Sequence, residues 1–301
     1  MAVTTETPPV DPTQTEPSHG RRIFLAWLVL SAIFTPVVYF VWGPHMPPNG
    51  LSDQSAGQQF DNRVLGTVAT PVVLIVLVFL VYALVFWRQD LDGEVIDGPP
   101  LKTDVRIAGG WVVLTSIIVL SMAVFGTYEL VHSDGAGAGA GPNPIWKPAG
   151  KTFPIQVIAQ QWRFTYRYPT YGGMETTELV VPEGVEVAFN VTSLDVIHSF
   201  WAYRLGVKAD ANPGVNNLAY VKATKTGTLD VRCAELCGLW HGAMTSPGQV
   251  MTASAFASWA KSTEISTAAV TKLLPKYATV YSPDATGAGG SFYGPQYPVQ
   301  P

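Results

Sequence analysis

Three long uncharged stretches lie in the first half of the chain, at residues 23–42, 64–87 and 107–128. Each is long enough to cross the hydrocarbon core of a bilayer as a helix, which takes about 20 residues. Pro36 and Pro71 lie inside two of these stretches. A membrane helix tolerates proline because neighbouring helices and polar side chains satisfy the carbonyls that it leaves free. One stretch alone would also fit a buried core helix, but three of them, bounded by charges and Trp, predict three transmembrane helices.

The first stretch has two interpretations. Arg21 and Arg22 precede it, as they would in a signal peptide, but residues 41–45 offer no small-x-small cleavage site. We therefore expect an uncleaved anchor. The alternative is a cleaved signal peptide, which would leave two transmembrane helices in the mature chain.

The distribution of Lys and Arg predicts the orientation of the helices, because cytoplasmic flanks carry the excess of positive charge. Arg21 and Arg22 flank the first stretch, segment 88–106 has three basic residues, and segment 43–63 has only Arg63. We therefore expect the N-terminus inside and everything after residue 128 outside. The chain would be a multi-pass membrane protein.

The second half of the chain has a different pattern of apolar and polar residues. After a linker rich in Gly, Ala and Pro at 133–142, five segments alternate or are rich in β-branched residues, with Gly and Pro between them. They lie at 153–168, 177–182, 185–192, 218–223 and 227–232. This pattern predicts a small all-β sandwich or barrel, and residues 256–259 predict a short closing helix.

Composition agrees with a membrane anchor carrying an outer domain. The mean hydropathy is +0.21 and 13% of residues are charged, which is too apolar for an ordinary soluble protein, and the net charge of −4 argues against a nucleic-acid partner. We expect a disordered tail at 1–20, transmembrane helices at 21–43, 63–88 and 106–130, an extracytoplasmic loop at 44–62, a cytoplasmic loop at 89–105, a linker at 131–150, the β domain at 151–262 and a C-terminal tail at 263–301.

Candidate metal ligands concentrate in one segment, 233–244, which reads CAELCGLWHGAM. Cys237, His241 and Met244 offer a thiolate, an imidazole and a weak thioether on one loop, and His198 is the obvious distant second imidazole. That combination is typical of a mononuclear blue-copper site.

Cys233 is one thiolate too many for a single copper. If Cys233 and Cys237 both bridge, they would hold two coppers side by side, each with one His and one weak ligand. Met244 would serve one copper, and a backbone carbonyl such as that of Glu235 would serve the other. Such a pair suits electron transfer, because shared charge changes bond lengths little on reduction, and no ligand position is left open for a substrate.

Three other interpretations remain open at this point. Cys233 and Cys237 could form a disulfide, which is common outside the cytoplasm. The two cysteines with His198 and His241 could hold structural zinc, although the thioether of Met244 is a ligand that zinc sites rarely use. Met244 and His198 could also be ordinary core residues.

At these residues the sequence resembles subunit II of cytochrome c oxidase. Four matching words occur in order: Gln161-Trp162, then residues 195–201 (DVIHSFW), 205–214 (LGVKADANPG) and 233–244. The resemblance implies a Greek-key cupredoxin fold for the β domain and a binuclear copper A centre. It also implies a magnesium ion, shared with the haem subunit through the Glu235 side chain. The implied copper ligands are His198, Cys233, Glu235 through its carbonyl, Cys237, His241 and Met244.

An aromatic pattern follows the first of these words. Trp162, Phe164, Tyr166 and Tyr168 alternate and so predict one face of a strand, for which core packing is the default interpretation. The resemblance implies that Trp162 is the residue at which electrons enter the copper centre. The family usually has a second Trp where this chain has Phe164.

Two departures from the family pattern stand out. The family usually has two membrane helices, and this chain has three apolar stretches. Many relatives carry a Glu just before the last helix, at the mouth of a proton path, but residues 104–111 contain none. The site of proton uptake is therefore not predicted.

The resemblance implies a function in respiration. The chain would accept electrons from a soluble or membrane-bound cytochrome c and pass them to the haem-containing subunit I, which reduces oxygen with proton pumping. Alternatives are the copper A subunit of a nitric oxide reductase and a membrane-anchored copper chaperone, the latter opposed by the β texture and Met244. A cluster of acids without intervening Lys or Arg could steer a basic cytochrome or could simply be a solvated strand face; its members are Glu175, Glu178, Glu183, Glu186 and Asp195.

Overall fold

The computed structural model describes residues 18–87, 104–132 and 148–274. The expected N-terminal tail, most of the cytoplasmic loop, most of the linker and the end of the C-terminal tail lie outside these ranges. Two of the basic residues on which the predicted orientation depends, Arg88 and Lys102, also lie outside them.

Three helices are long and apolar enough to cross a membrane, and they confirm the predicted number. Helix α1 (His19–Val37) continues through a π-helical turn to Trp42 and a 3-10 turn to His45. Helices α2 (Asp53–Phe86) and α3 (Val105–His132) follow.

Helix α2 begins at Asp53 rather than at residue 63, the expected start. The intervening residues are polar, so apolar periodicity does not reveal them as helical. Their helix is started by Ser52, whose hydroxyl accepts a hydrogen bond from the Ser55 N–H at 3.1 Å. Asp53 adds a negative charge in the first turn, where the helix dipole favours it.

Helices α1 and α2 pack against each other through apolar and polar contacts. Ile23 and Tyr82 are buried between them. The Trp27 indole N–H donates to the Pro71 carbonyl at 2.7 Å, and His19 Nδ1 lies 2.7 Å from the Tyr82 hydroxyl. Hydrogen bonds between apolar segments indicate that α1 is a packed partner of α2.

The outer domain is a sandwich of two five-stranded sheets, which confirms the predicted all-β, cupredoxin-like class. The strands are β1 (Phe153–Gln160), β2 (Arg163–Tyr168), β3 (Met174–Thr176), β4 (Leu179–Pro182), β5 (Glu186–Ser193), β6 (His198–Ala202), β7 (Val207–Ala211), β8 (Asn217–Lys222), β9 (Gly227–Cys233) and β10 (Thr245–Met251). One sheet has the order β3-β2-β1-β5-β8 and the other β4-β10-β9-β6-β7. The β1–β5 and β4–β10 pairs are parallel and the other pairs are antiparallel.

Aromatic side chains fill the space between the sheets. Phe164, Tyr166 and Tyr168 on β2 are fully buried, as the alternation predicts, and they lie with Phe189 and Phe200 in one core cluster. Burying an aromatic side chain of this size contributes about 1.5–3 kcal/mol. Trp162 is the exception to the predicted face: it precedes β2, in the turn that follows β1.

The domain closes with helix α4 (Ala253–Thr271), which is longer than the short helix expected at 256–259 and continues past residue 262. Thr252 caps it by accepting a hydrogen bond from the Ala255 N–H at 3.4 Å. Phe256 and Ala260 face the core. Trp259 packs beside them against Tyr168, so the apolar face is confined to residues 256–260 and the sequence signal is short.

A segment far away in sequence completes the domain. Residues 51–58, which we call the strap, donate to the three consecutive carbonyls of the turn 204–206. The donors are Leu51 N at 2.6 Å, Ser52 Oγ at 2.7 Å and Gln58 Nε2 at 2.7 Å. The strap therefore satisfies three backbone carbonyls of this turn.

The turn is shaped to receive the strap. Gly206 has φ +66°, and a Cβ there would lie 2.6 Å from the backbone nitrogen of Ser55. Leu51 is buried, and its carbonyl accepts the Thr224 N–H at 2.7 Å. Only glycine allows both the backbone conformation and the close approach at position 206.

Candidate metal centre

Three connections meet at one end of the sandwich. They are the turn 161–162 between β1 and β2, the loop 194–197 between β5 and β6, and the loop 234–244 between β9 and β10. Because β1 and β5 are parallel, with Ala159 opposite Ser193, their C-terminal ends lie side by side. Phe200 on β6 pairs with Cys233 on β9, which brings the third loop to the same place.

The side chains with metal-binding atoms converge there. The two cysteine sulfurs, Cys233 Sγ and Cys237 Sγ, are 3.7 Å apart. Cys233 Sγ lies 3.8 Å from His198 Nδ1, and Cys237 Sγ lies 3.6 Å from His241 Nδ1. Met244 Sδ is 3.9 Å from Cys237 Sγ. The structure thus brings together all five side chains that the sequence suggested as copper ligands.

The sixth suggested ligand is also present. The carbonyl oxygen of Glu235 is 3.2 Å from Cys233 Sγ, while the Glu235 side chain is exposed. His198 and Met244 are fully buried, and Cys233 and Cys237 are nearly so. His241 is half-buried at the edge of the site.

The positions of these ligand atoms do not match a zinc site with two Cys and two His ligands. Ligand atoms on a single tetrahedral metal with bonds of 2.0–2.3 Å lie roughly 3.3–3.8 Å from one another. His198, Cys233 and Cys237 form a group whose ligand atoms all lie within 4.8 Å of each other, but His241 falls outside it. One zinc ion with two Cys and two His ligands would need all four together. The free sulfurs, 3.7 Å apart, also do not form the disulfide that the sequence left open.

Backbone contacts shape the ligand loop. The Cys233 N–H donates to the Met244 carbonyl at 3.1 Å, which closes the loop at its base. A 3-10 turn, His241–Ala243, directly precedes Met244, whose side chain lies next to Cys237. Gly238 has φ +112°, a conformation that favours glycine, and it lets the chain reverse just after Cys237.

Asp195 is a functional candidate that the sequence argument missed. Its Oδ1 lies 2.9 Å from His198 Nε2, so His198 Nδ1 faces the cysteines. Its Oδ2 accepts the Gln161 N–H at 2.7 Å. Carboxylates in this position orient a metal-binding histidine and fix its tautomer. The available signal is its spacing, three residues before His198.

The electrostatics of the site follow from burial and hydrogen bonding. Burial alone would raise the pKa of Asp195, but hydrogen bonds from Gln161, His198 and Val196 hold that pKa below its ordinary value. Burial also opposes ionisation of Cys233, yet hydrogen bonds with His198 and nearby backbone lower its pKa. Burial and the neighbouring Cys233 raise the pKa of Cys237. Of the two thiols, Cys233 therefore ionises more readily than Cys237, and metal binding would displace the protons that remain.

Trp162 touches the ligand loop directly. Its indole N–H donates to the Cys237 carbonyl at 3.1 Å, and its ring lies against Gly238, where a Cβ would be 3.3 Å from Trp162 Cζ2. The side chain is half-buried, with part of its ring open to solvent. The prediction that Trp162 lies on the buried face of β2 is therefore wrong, because Trp162 precedes the strand and contacts the metal loop near the surface.

The predicted acidic cluster does not form one surface around this site. Of its five members, only Asp195 belongs to a loop that carries ligand atoms. Glu186 begins β5, about 25 Å along the strand from the metal end. Glu175 forms an ion pair with the buried Arg167, and Glu178 accepts the Gln249 amide at 2.8 Å. The expected steering surface is therefore wrong, because a run in sequence is spread along the strands.

The fold and the site together define a membrane-anchored protein with a cupredoxin-like metal domain. Residues 174–250 match the family described as cytochrome c oxidase subunit II, periplasmic domain. Cytochrome c oxidase subunit 2 of Bacillus subtilis is 30% identical over 257 residues, covering 81% of this chain and 68% of that protein. The same subunit of Thermostichus vulcanus is 27% identical over 291 residues, covering 81% and 87%.

One solved structure is similar in sequence to part of the chain. The periplasmic domain of subunit II of cytochrome oxidase from Bradyrhizobium japonicum is 33% identical, covers 40% of this chain and 99% of its own, and has a TM-score of 0.38. The chain belongs to the cytochrome c oxidase subunit II family, as the Bacillus relative shows. It is therefore a membrane-anchored subunit of a cytochrome c oxidase. These relatives give no support to the nitric oxide reductase alternative.

Proposed function

We propose that this chain is the electron-accepting subunit of its oxidase, with a binuclear copper centre on the extracytoplasmic side of the membrane. One observation carries the proposal: two free cysteine sulfurs lie 3.7 Å apart, and each has its own histidine nitrogen within 3.8 Å. Two bridging thiolates with one imidazole on each side match the set that two coppers require. Copper is favoured over zinc because the thioether of Met244 is a soft ligand.

The proposed ligands have distinct roles. Cys233 and Cys237 would bridge the two coppers. His198 would bind one copper and His241 the other. Met244 and the Glu235 carbonyl would be the weak ligands. Bound copper would take up and release one electron.

The protein contributes rigidity to this chemistry. Cys233 lies at the end of β9, His198 lies at the start of β6, and hydrogen bonds fix both the loop base and the His198 ring. The ligand side chains other than His241 are buried, so water is excluded. A frame that holds its ligands in place favours fast electron transfer, because little has to move when the charge changes.

Trp162 is the proposed point at which electrons enter. It is half-exposed, and its N–H contacts the carbonyl of a bridging cysteine. A soluble or membrane-bound cytochrome c would be the donor, and haem-containing subunit I would be the acceptor that reduces oxygen with proton pumping. The exposed Glu235 carboxylate is available to a magnesium ion shared with that subunit, because magnesium prefers oxygen ligands.

The orientation proposed for the anchor follows from this role. The N-terminus would be cytoplasmic and the copper domain would face an extracytoplasmic cytochrome, as the charges flanking the helices predict.

The proposal is tested by rapid mixing of the purified oxidase with reduced cytochrome c. We expect Cys233→Ser and Cys237→Ser each to abolish fast oxidation of the cytochrome, because each thiolate bridges. A small-molecule reductant that reaches the haems directly should still reduce both variants, which shows that subunit I is intact. Normal cytochrome oxidation by either variant would refute the role of the centre in electron transfer.

A further inference from the structure

Gln161 donates two hydrogen bonds, one from its backbone N–H and one from its side-chain amide. Its backbone N–H donates to Asp195 Oδ2 at 2.7 Å, and its side-chain Nε2 donates to the Cys237 carbonyl at 2.8 Å. Asp195 Oδ1 in turn lies 2.9 Å from His198 Nε2. A single residue thus links the loop of one proposed ligand to the loop of another.

The same carbonyl accepts a second hydrogen bond. Trp162 Nε1 donates to the Cys237 oxygen at 3.1 Å. The Cys237 carbonyl therefore accepts hydrogen bonds from two consecutive residues, Gln161 and Trp162. The packing around them is tight: a Cβ on Gly238 would lie 3.0 Å from Gln161 Nε2 and 3.3 Å from Trp162 Cζ2. The Trp162 indole, the Gln161 amide and the Cys237 carbonyl therefore form one packed unit.

This unit offers a short path from the surface to a ligand sulfur. From the half-exposed Trp162 ring, the path crosses one N–H···O=C hydrogen bond and then follows covalent bonds through Cys237 to its Sγ. Electronic coupling across a hydrogen bond weakens steeply as that bond lengthens. The group that keeps the Cys237 carbonyl in place should therefore control the rate of transfer.

We propose that Gln161 is a positioning residue that holds the Cys237 carbonyl against the Trp162 N–H, so that this hydrogen bond is the path of electron entrance to the copper pair. The inference rests on the proposed function. Copper held by these ligands would accept one electron from the ferrous haem of the cytochrome, which would become ferric, and no proton would be transferred.

The test uses the purified oxidase and three substitutions. Gln161→Met keeps the size of the side chain but removes the amide, and Trp162→Phe keeps a ring but removes the N–H. Gln249→Met is the matched control, because the Gln249 amide also donates at 2.8 Å, to Glu178, but further along β10 and away from the ligand loop. The measurements are the rate of reduction by cytochrome c, the copper content and the EPR spectrum.

We expect Gln161→Met and Trp162→Phe each to slow reduction by about tenfold, since a small misplacement of a reacting pair has effects of that order or larger. Copper content and the number of hyperfine lines should stay as in the parent oxidase, and Gln249→Met should react at the parent rate. The double variant should be no slower than Trp162→Phe alone, because both changes break one hydrogen bond.

Several results would overturn the inference. If Gln161→Met keeps its copper and reacts at the parent rate, Gln161 does not position the carbonyl. If Trp162→Phe reacts at the parent rate, or if the two effects add in the double variant, the hydrogen bond is not the path. If Gln161→Met does not assemble, Gln161→Leu takes its place in the test. A slow Trp162→Ala beside a normal Trp162→Phe would refute only this inference, whereas unimpaired reduction of Cys237→Ser would refute the proposed function.

Discussion

Some residues at the metal end could be identified from the sequence, and others only from their contacts in the folded structure. The sequence predicted that metal-binding side chains would meet at this end of the domain, because their residue types and their spacing are typical of a metal site. These residues are His198, Cys233, Cys237, His241 and Met244. The structure brings them within 3.6–3.9 Å of a neighbouring ligand atom.

The residues that support these ligands were not predictable in the same way. Asp195 is an ordinary surface acid in sequence, and Gln161 is an ordinary polar residue beside a Trp. Their roles arise from hydrogen bonds that join loops 34 and 76 residues apart. No local pattern encodes such contacts.

Asp195 yields a direct prediction at this scale. We expect Asp195→Asn to weaken copper binding by about 10–100-fold, because the neutral amide orients the His198 ring less firmly. The measurement is copper retained by the purified subunit against a competing chelator. Asp230→Asn is the control, since Asp230 is exposed and is paired only with Arg232, at 3.7 Å. Equal retention by the two variants would show that Asp195 has no part in holding the centre.

Among the secondary-structure elements, periodic ones were predictable and irregular ones were not. The three long apolar helices and the strands with β-branched alternation correspond to the sequence pattern. Strand β10 did not, because it contains Pro247 and Gly248, which normally indicate a turn. Its glycine is required by packing: a Cβ at Gly248 would lie 2.8 Å from the Leu179 carbonyl of β4.

The strap was equally hidden, because residues 44–62 read as a polar loop between two membrane helices. Its contacts with turn 204–206 make it part of the outer domain, so a soluble fragment cut at residue 150 lacks a piece of its own fold. A fragment intended for spectroscopy should therefore carry the strap, all of α4 (Ala253–Thr271) and the residues that follow up to Leu274.

Leu51 provides the test of the strap. We expect Leu51→Ala to lower the free energy of unfolding of the outer domain by about 2–5 kcal/mol, the usual cost of truncating a buried Leu. The measurement is denaturant unfolding of a fragment that includes the strap. Leu273→Ala is the control, because Leu273 is 85% exposed. If the two variants unfold alike, the strap does not contribute to the stability of the domain.

For the whole molecule, the main departure from the family pattern is the first helix. Its contacts with α2, through Trp27 and His19, are those of a permanent neighbour. Cleavage within residues 43–55 would remove that neighbour, and cleavage beyond Leu51 would also cut the strap. Periodicity alone could not distinguish an anchor from a signal peptide, because both are apolar and both follow basic residues.

The intact mass of the subunit in the purified oxidase tests the retention of this helix. We expect a chain that starts at Met1 or Ala2 and has three membrane helices. A mature chain that starts between about residues 43 and 55 would contradict this account of the anchor and restore the two-helix form. The position of the copper domain would be the same in both cases.

The central claim is that the paired cysteines hold two coppers as one redox unit. The most direct measurement is the EPR spectrum of the oxidised centre, together with the copper content of the strap-containing outer domain. We predict two coppers per chain and an unpaired electron shared between two copper nuclei, seen as more hyperfine lines than one copper produces, with the signal lost in both Cys233→Ser and Cys237→Ser. A spectrum of one isolated copper, a single bound zinc, or an unchanged signal in either serine variant would contradict the account.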